Sequence, residues 1–217
     1  MKNYRSDFII TAHTGCENTL QNSIESIKTG AASGADVVEF DIRFDDNMHP
    51  VLSHDEPAGD EVSLDEAFSV VKAFDKLKVN LDIKCTDNLR SVQSLAEKHN
   101  LLHRVFYTGV FEKFVESVRN DSPEIPYYLN LSVSPESEQT DAYLEELVTK
   151  VKDCGAVGIN LHKDGSSVRL CEVFRKHNLK VSVWTINDIN EAEKIITHRP
   201  DNITTLFPTD IIELLNK

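Results

Sequence analysis

The chain has 217 residues, enough to bury one full core and too few for more than two domains. Lys and Arg number 23 against 36 Asp and Glu, a formal net charge of −13, which argues against binding nucleic acid and against docking by charge alone on an anionic membrane. No apolar run approaches the roughly 18 residues of a membrane span, and the opening MKNYRSDF lacks a signal-peptide core, so a cytoplasmic protein with no integral membrane association is expected.

In chain order, short apolar runs predict strands at 8–12, 37–44, 78–84, 105–107, 127–131, 157–161, 180–184 and 203–207. Apolar stripes of helical period lie between them: Leu20, Ile24 and Ile27; Leu64, Ala67, Phe68 and Val71; Phe111, Phe114, Val115 and Val118; Leu144, Leu147, Val148 and Val151. Ser63 to Glu66 reads as a capping box, and Gly155 supplies the left-handed residue at a helix end. Eight such strand-helix units predict an α/β fold, a (β/α)8 TIM barrel, as a single domain over residues 1–217 without a large insertion. The rival, a doubly wound open sheet, lacks support because no glycine-rich nucleotide loop follows the first strand. Cys16, Cys85, Cys154 and Cys171 are scattered without a CxxC pair, which fits reduced packing thiols.

Chemistry concentrates at strand ends. Glu39 and Asp41 alternate within an otherwise apolar strand, so both point to one side, as do Asp82 and Lys84 in NLDIK. His13 follows the first strand, and Trp184 and Asn187 follow the seventh. In a barrel all of these gather at the carboxyl-terminal mouth, where catalysis occurs. Three carboxylates there repel one another unless a cation neutralises them, and all-oxygen ligation suits Mg²⁺ or Ca²⁺. A lone strand carboxylate is usually exposed or paired with a base, and Asp82 beside Lys84 alone would be ordinary. The two acid pairs flanked by His13 and His54 favour the metal. The other histidines read as packing or surface residues, with His162 left open because it follows the sixth strand.

These residues resemble the glycerophosphodiester phosphodiesterase family. AHTGCENT at 12–19 is similar to its His-Arg-Gly and Glu-Asn-Thr opening, and EFDIRFDDNMHPVLSHDEP at 39–57 to its Glu-x-Asp and Val-x-x-His-Asp segments. VSLDEAF, LDIK and VSVWTIND match further blocks nearly to the end of the chain. The resemblance implies a TIM barrel and metal-dependent hydrolysis of a small phosphodiester. By it, His13 and His54 are the catalytic pair, and Glu39, Asp41 and Asp82 are the ligands of a divalent cation, Mg²⁺ or Ca²⁺. Lys84 is a phosphate contact, and Trp184, Asn187, Thr14 and Glu17 are further substrate-binding positions.

The family's Arg beside the first histidine is Thr14 here, its third ligand is Asp82 rather than Glu, and its closing acid is replaced by Leu206 in TLFP. DEPAGDEVS after His54 leaves no room for the usual covering subdomain. The first two departures also resemble the sphingomyelinase D branch of the superfamily, which would form a cyclic phosphate. The losses equally motivate a catalytically weak barrel that binds a metal or phosphate, or a homo-oligomer whose open mouth is completed by a neighbouring copy.

Overall fold

The computed structural model describes residues 8–216. Nine strands occur among them: β1 (Ile9–Ala12), β2 (Val37–Phe44), β3 (Pro50–Leu52), β4 (Lys78–Ile83), β5 (Val105–Val110), β6 (Tyr127–Asn130), β7 (Gly158–His162), β8 (Lys180–Trp184) and β9 (Asn202–Thr205). Eight are parallel and follow one another in chain order, and β1 pairs with both β2 and β9, which closes the barrel. The helices are α1 (Ile24–Ala32), α2 (Leu64–Val71), α3 (Leu89–Lys98), α4 (Val115–Asp121), α5 (Asp141–Asp153), α6 (Val168–Lys176), α7 (Ile189–His198) and α8 (Pro208–Leu215). The expected TIM barrel is therefore observed.

Each strand has two buried faces of opposite character. Phe40, Ile42, Leu81, Ile83, Leu129, Ile159, Val183 and Ile203 belong to the apolar core. The alternate positions are polar. Asn80, Thr108, Asn130, Asn160, Ser182, Asn202 and Thr204 are all buried, and such groups are stable only when hydrogen-bonded. They satisfy one another across strands: Thr108 Oγ1 lies 2.9 Å from the Asn80 side-chain amide, Asn160 Nδ2 donates to Asn130 Oδ1 at 3.1 Å, and Asn202 Nδ2 donates to Ser182 Oγ at 2.9 Å. A polar barrel interior continues without a break into the polar mouth.

The helices seal the outer face. In α2, Leu64, Ala67, Phe68 and Val71 are fully buried, and each large side chain among them contributes about 1.5–3 kcal/mol of burial free energy. The start of α2 is set by Ser63, whose side chain accepts the Glu66 N–H, as the capping box predicts. Thr140, Ser167 and Asp188 cap α5, α6 and α7 in the same way. Only residues 53–63 separate β3 from α2.

One strand is added to those expected, and two helix expectations are corrected. The stretch after β2 is a hairpin, because Pro50–Leu52 returns antiparallel with Arg43 opposite Val51. Leu20 lies before α1 and is 74% exposed, so the helical stripe begins at Ile24. Phe111 lies before α4 and is 48% exposed. It belongs to the rim of the mouth, because β5 runs on to Val110 instead of ending at Tyr107.

Candidate active site

The mouth holds a cavity of about 620 Å³ whose lining includes His13, Glu39, Asp41, His54, Asp82, Lys84 and Trp184. Parallel register brings the acids together: Asp41 sits opposite Asp82 across β2 and β4, two residues above the Glu39–Asn80 pair. One oxygen from each of Glu39, Asp41 and Asp82 falls within 4.8 Å of the others. Glu39 and Asp41 are buried and Asp82 is half-buried.

Separate contacts hold each acid. Glu39 Oε2 accepts the Thr14 N–H at 2.8 Å. Asp41 Oδ2 accepts from Asn22 Nδ2 at 2.9 Å, and the Asp41 N–H returns a bond to Asn22 Oδ1 at 3.0 Å. Asp82 Oδ1 accepts from Thr108 Oγ1 at 2.8 Å. Asp82 also depends on Gly109, where φ is +72° and a Cβ would come within 2.4 Å of the Ile83 carbonyl oxygen. Only glycine fits there.

The electrostatics show a cluster that needs positive charge. Burial, with Asp41 and Asp82 nearby, pushes the Glu39 carboxyl up to about 7, although His13 opposes the shift. Lys84 Nζ reaches Asp41 Oδ1 at 2.8 Å and bonds Asp82 Oδ2 as well. Burial disfavours the Lys84 ammonium, but these two carboxylates outweigh it and hold its pKa above the usual value. Partial burial opposes charging of the His13 ring, yet Glu39, 3.7 Å away, the Thr14 carbonyl and the two aspartates raise its pKa. Three hard oxygen donors on two strands converge closely enough to fit a divalent cation.

The two histidines come from different elements. His13 Nδ1 lies 2.8 Å from the Thr14 carbonyl oxygen, so that nitrogen carries the proton and Nε2 is left for chemistry. His54 is on the loop after β3, with Nδ1 2.9 Å from Asp55 Oδ1. The Arg43 Nε–H fixes its backbone by donating to the His54 carbonyl at 2.9 Å.

Three expected substrate contacts are not among the residues lining the cavity. Thr14 is buried and acts on Glu39. Glu17 Oε1 accepts the Thr209 N–H at 3.1 Å at the start of α8, and Asn187 Oδ1 accepts the Leu206 N–H at 2.9 Å. Both residues tie loops together around the segment where the closing acid is missing. His162 packs its ring edge-on against Trp184 at 5.4 Å and is likewise absent from the lining. Cys16 is buried against Ser26, and burial pushes its thiol up, as suits a packing residue. Phe111 and Phe114, expected on a helix stripe, and Lys113 also line the cavity, as do Asn80 and Asn130. The signal for Asn80 and Asn130, asparagine at an inward strand position, reads equally well in the sequence as a solvated face.

The closed parallel barrel gathers three convergent carboxylates, a lysine and two histidines at its carboxyl end, a set of groups that can hold a cation beside two proton-transfer residues. The Glycerophosphoryl diester phosphodiesterase family model matches residues 13–106. A glycerophosphodiester phosphodiesterase of Caldanaerobacter subterraneus subsp. tengcongensis is 22% identical, over 96% of this chain and 98% of that one. Among solved structures, an Oleispira antarctica phosphodiesterase in complex with the product sn-glycerol-3-phosphate superposes with a TM-score of 0.80 at 18% identity, covering 96% of each chain. The glycerophosphodiester phosphodiesterase of Thermotoga maritima gives 0.70 at 18% identity, covering 95% of this chain and 98% of that one. Over residues 13–106 the chain is similar to the glycerophosphodiester phosphodiesterase family, and the likeness to the curated relative runs along nearly its whole length.

Proposed function

We propose that the protein is a metal-dependent phosphodiesterase that hydrolyses a glycerophosphodiester, or a similar small phosphodiester, to an alcohol and a phosphomonoester. The carrying observation is the convergence of Glu39, Asp41 and Asp82 within 4.8 Å, in the cavity that also holds His13, His54 and Lys84. Glu39, Asp41 and Asp82 would hold the divalent cation, which when bound supplies Lewis-acid neutralisation of charge on the phosphate oxygens. Lys84, held in the cavity wall by Asp41 and Asp82, adds a second positive group for those oxygens.

His13 and His54 divide the proton transfers. One ring takes a proton from the attacking water, and the other protonates the departing alkoxide. In each ring Nδ1 is engaged by the next residue, Thr14 or Asp55, so Nε2 is the working atom. Trp184, 37% exposed at the end of β8, offers an apolar wall to the alcohol. Four free cysteines accord with the cytoplasm as the working compartment and with one domain built without disulfides. Among the described residues no helix is long and apolar enough to cross a membrane.

The test is turnover of glycerophosphodiesters with and without Mg²⁺ or Ca²⁺, alongside Glu39→Ala and His54→Ala. Release of sn-glycerol-3-phosphate that needs the ion and both side chains supports the reading. Turnover that survives chelation or either substitution sinks the mechanism, and a cyclic phosphate product points to the sphingomyelinase D-like alternative.

A further inference from the structure

We propose that Lys113 sets the charge preference of the site, favouring diesters whose alcohol carries an anionic group over those whose alcohol carries a quaternary ammonium. The inference rests on the phosphodiesterase reading above and names the substrate class it takes.

Lys113 lies in the short segment between β5 and α4 and lines the same cavity as the three acids and Lys84. Its Nζ sits over the Phe114 ring, 4.7 Å from the centroid, and Phe111 meets Phe114 edge-on at 6.4 Å. A quaternary ammonium is recognised by open aromatic faces, which attract it through the ring quadrupole. The Phe114 face is occupied by an ammonium already on the protein. A choline-like alcohol arriving at this wall would have to displace a lysine and then sit beside its charge.

Lys113 is also uncompensated. Among the described residues it forms no ion pair, whereas Lys84 meets Asp41 and Asp82, Lys150 meets Glu112 and Lys163 meets Glu191. In a chain with 36 acids against 23 bases, an unpaired lysine on a cavity wall is a local reversal of the prevailing charge. The overall negative charge acts from a distance and is screened beyond about 8 Å at physiological salt, so within the cavity the near charge decides. The carboxylates deeper in the mouth are partly neutralised by Lys84 and would be further neutralised by the divalent ion. Lys113 therefore stands apart as the cation available to the alcohol group.

Trp184 is the only tryptophan in the chain and lines the cavity, so its fluorescence reports occupancy directly. The experiment compares three glycerophosphodiesters whose alcohols are choline, glycerol and a phosphorylated inositol, with the divalent ion present. It measures kcat/KM on the wild type and Kd by Trp184 fluorescence on the His54→Ala protein. The phosphorylated alcohol should bind about fivefold tighter than choline, the factor a strong exposed charge pair supplies, and the margin should shrink with added salt. Lys113→Met keeps an unbranched chain on Phe114 and should abolish the preference, and Lys113→Glu should reverse it. Preference for the choline diester in the wild type, or an order unchanged in both variants, overturns the proposal. If binding follows the charge order but no diester is hydrolysed by the wild type, the phosphodiesterase reading fails while the role of Lys113 stands.

Discussion

Replacing Glu39 by Gln tests whether the acid cluster depends on a cation. Glu39 ionises near 7 in the folded protein against 4.5 for an ordinary glutamate. A folded-state value above the unfolded one means that the folded protein holds the proton more tightly. The stability this brings is complete below about pH 4.5 and is lost as pH rises through about 7. At 1.36 kcal/mol per pH unit, the interval amounts to about 3 kcal/mol of destabilisation at pH 8. His13, also raised, loses stability in the same direction as pH climbs past its folded value. In a chelating buffer the wild type should therefore lose stability between pH 5 and 8. Glu39→Gln, whose side-chain oxygen can still accept the Thr14 N–H, should be the more stable protein at pH 8, with Tm higher by about 5 °C or more. Adding Mg²⁺ or Ca²⁺ should restore the wild type at pH 8 and leave the variant unmoved. Thermal unfolding followed by circular dichroism over that pH range is sufficient. A variant less stable than the wild type at pH 8 in chelator would refute the claim that uncompensated charge on Glu39 strains the folded state.

Further outcomes follow from particular contacts. His13→Ala and His54→Ala should each lower kcat by about 10²–10⁴ with unfolding transitions close to the wild type, checked by steady-state assay and melting curves. Asn22→Ala removes both bonds to Asp41 and should weaken divalent-ion affinity by about tenfold or more, read by calorimetric titration. Gly109→Ala forces a Cβ against the Ile83 carbonyl at a positive φ, so a loss of about 2–4 kcal/mol in urea unfolding is expected. Lys84→Met leaves Asp41 and Asp82 without their shared ammonium and should lower Tm in chelator, with much of the loss recovered on adding the ion.

The architecture was largely legible because a barrel of parallel strands is written in local periodicities. Runs such as Val37–Phe44 alternate in a way no exposed loop would, and α2 carries both its apolar stripe and its Ser63 cap in consecutive residues. Misreadings occurred where local pattern and tertiary placement part company. Pro50–Leu52 is too short for its period to register, and it becomes a strand only because Arg43 faces Val51 across the hairpin. Phe111 fits a helical spacing, yet the extension of β5 carries it out to the rim.

By itself, the sequence determined which residue types lie at strand ends, and hence that Glu39, Asp41, Asp82, Lys84, His13 and His54 form one constellation. Alternation along a strand is a covalent fact, and a closed parallel barrel leaves those ends a single mouth. Tertiary structure decided everything that depends on distance between elements. It placed Thr14, Glu17 and Asn187 among the supports of the site instead of its lining, through bonds to Glu39, Thr209 and Leu206. It also brought Lys113 and Phe114 into the cavity. Their spacing in the sequence is that of any helix start, and only the packing of β5 beside β4 aims them at the acids.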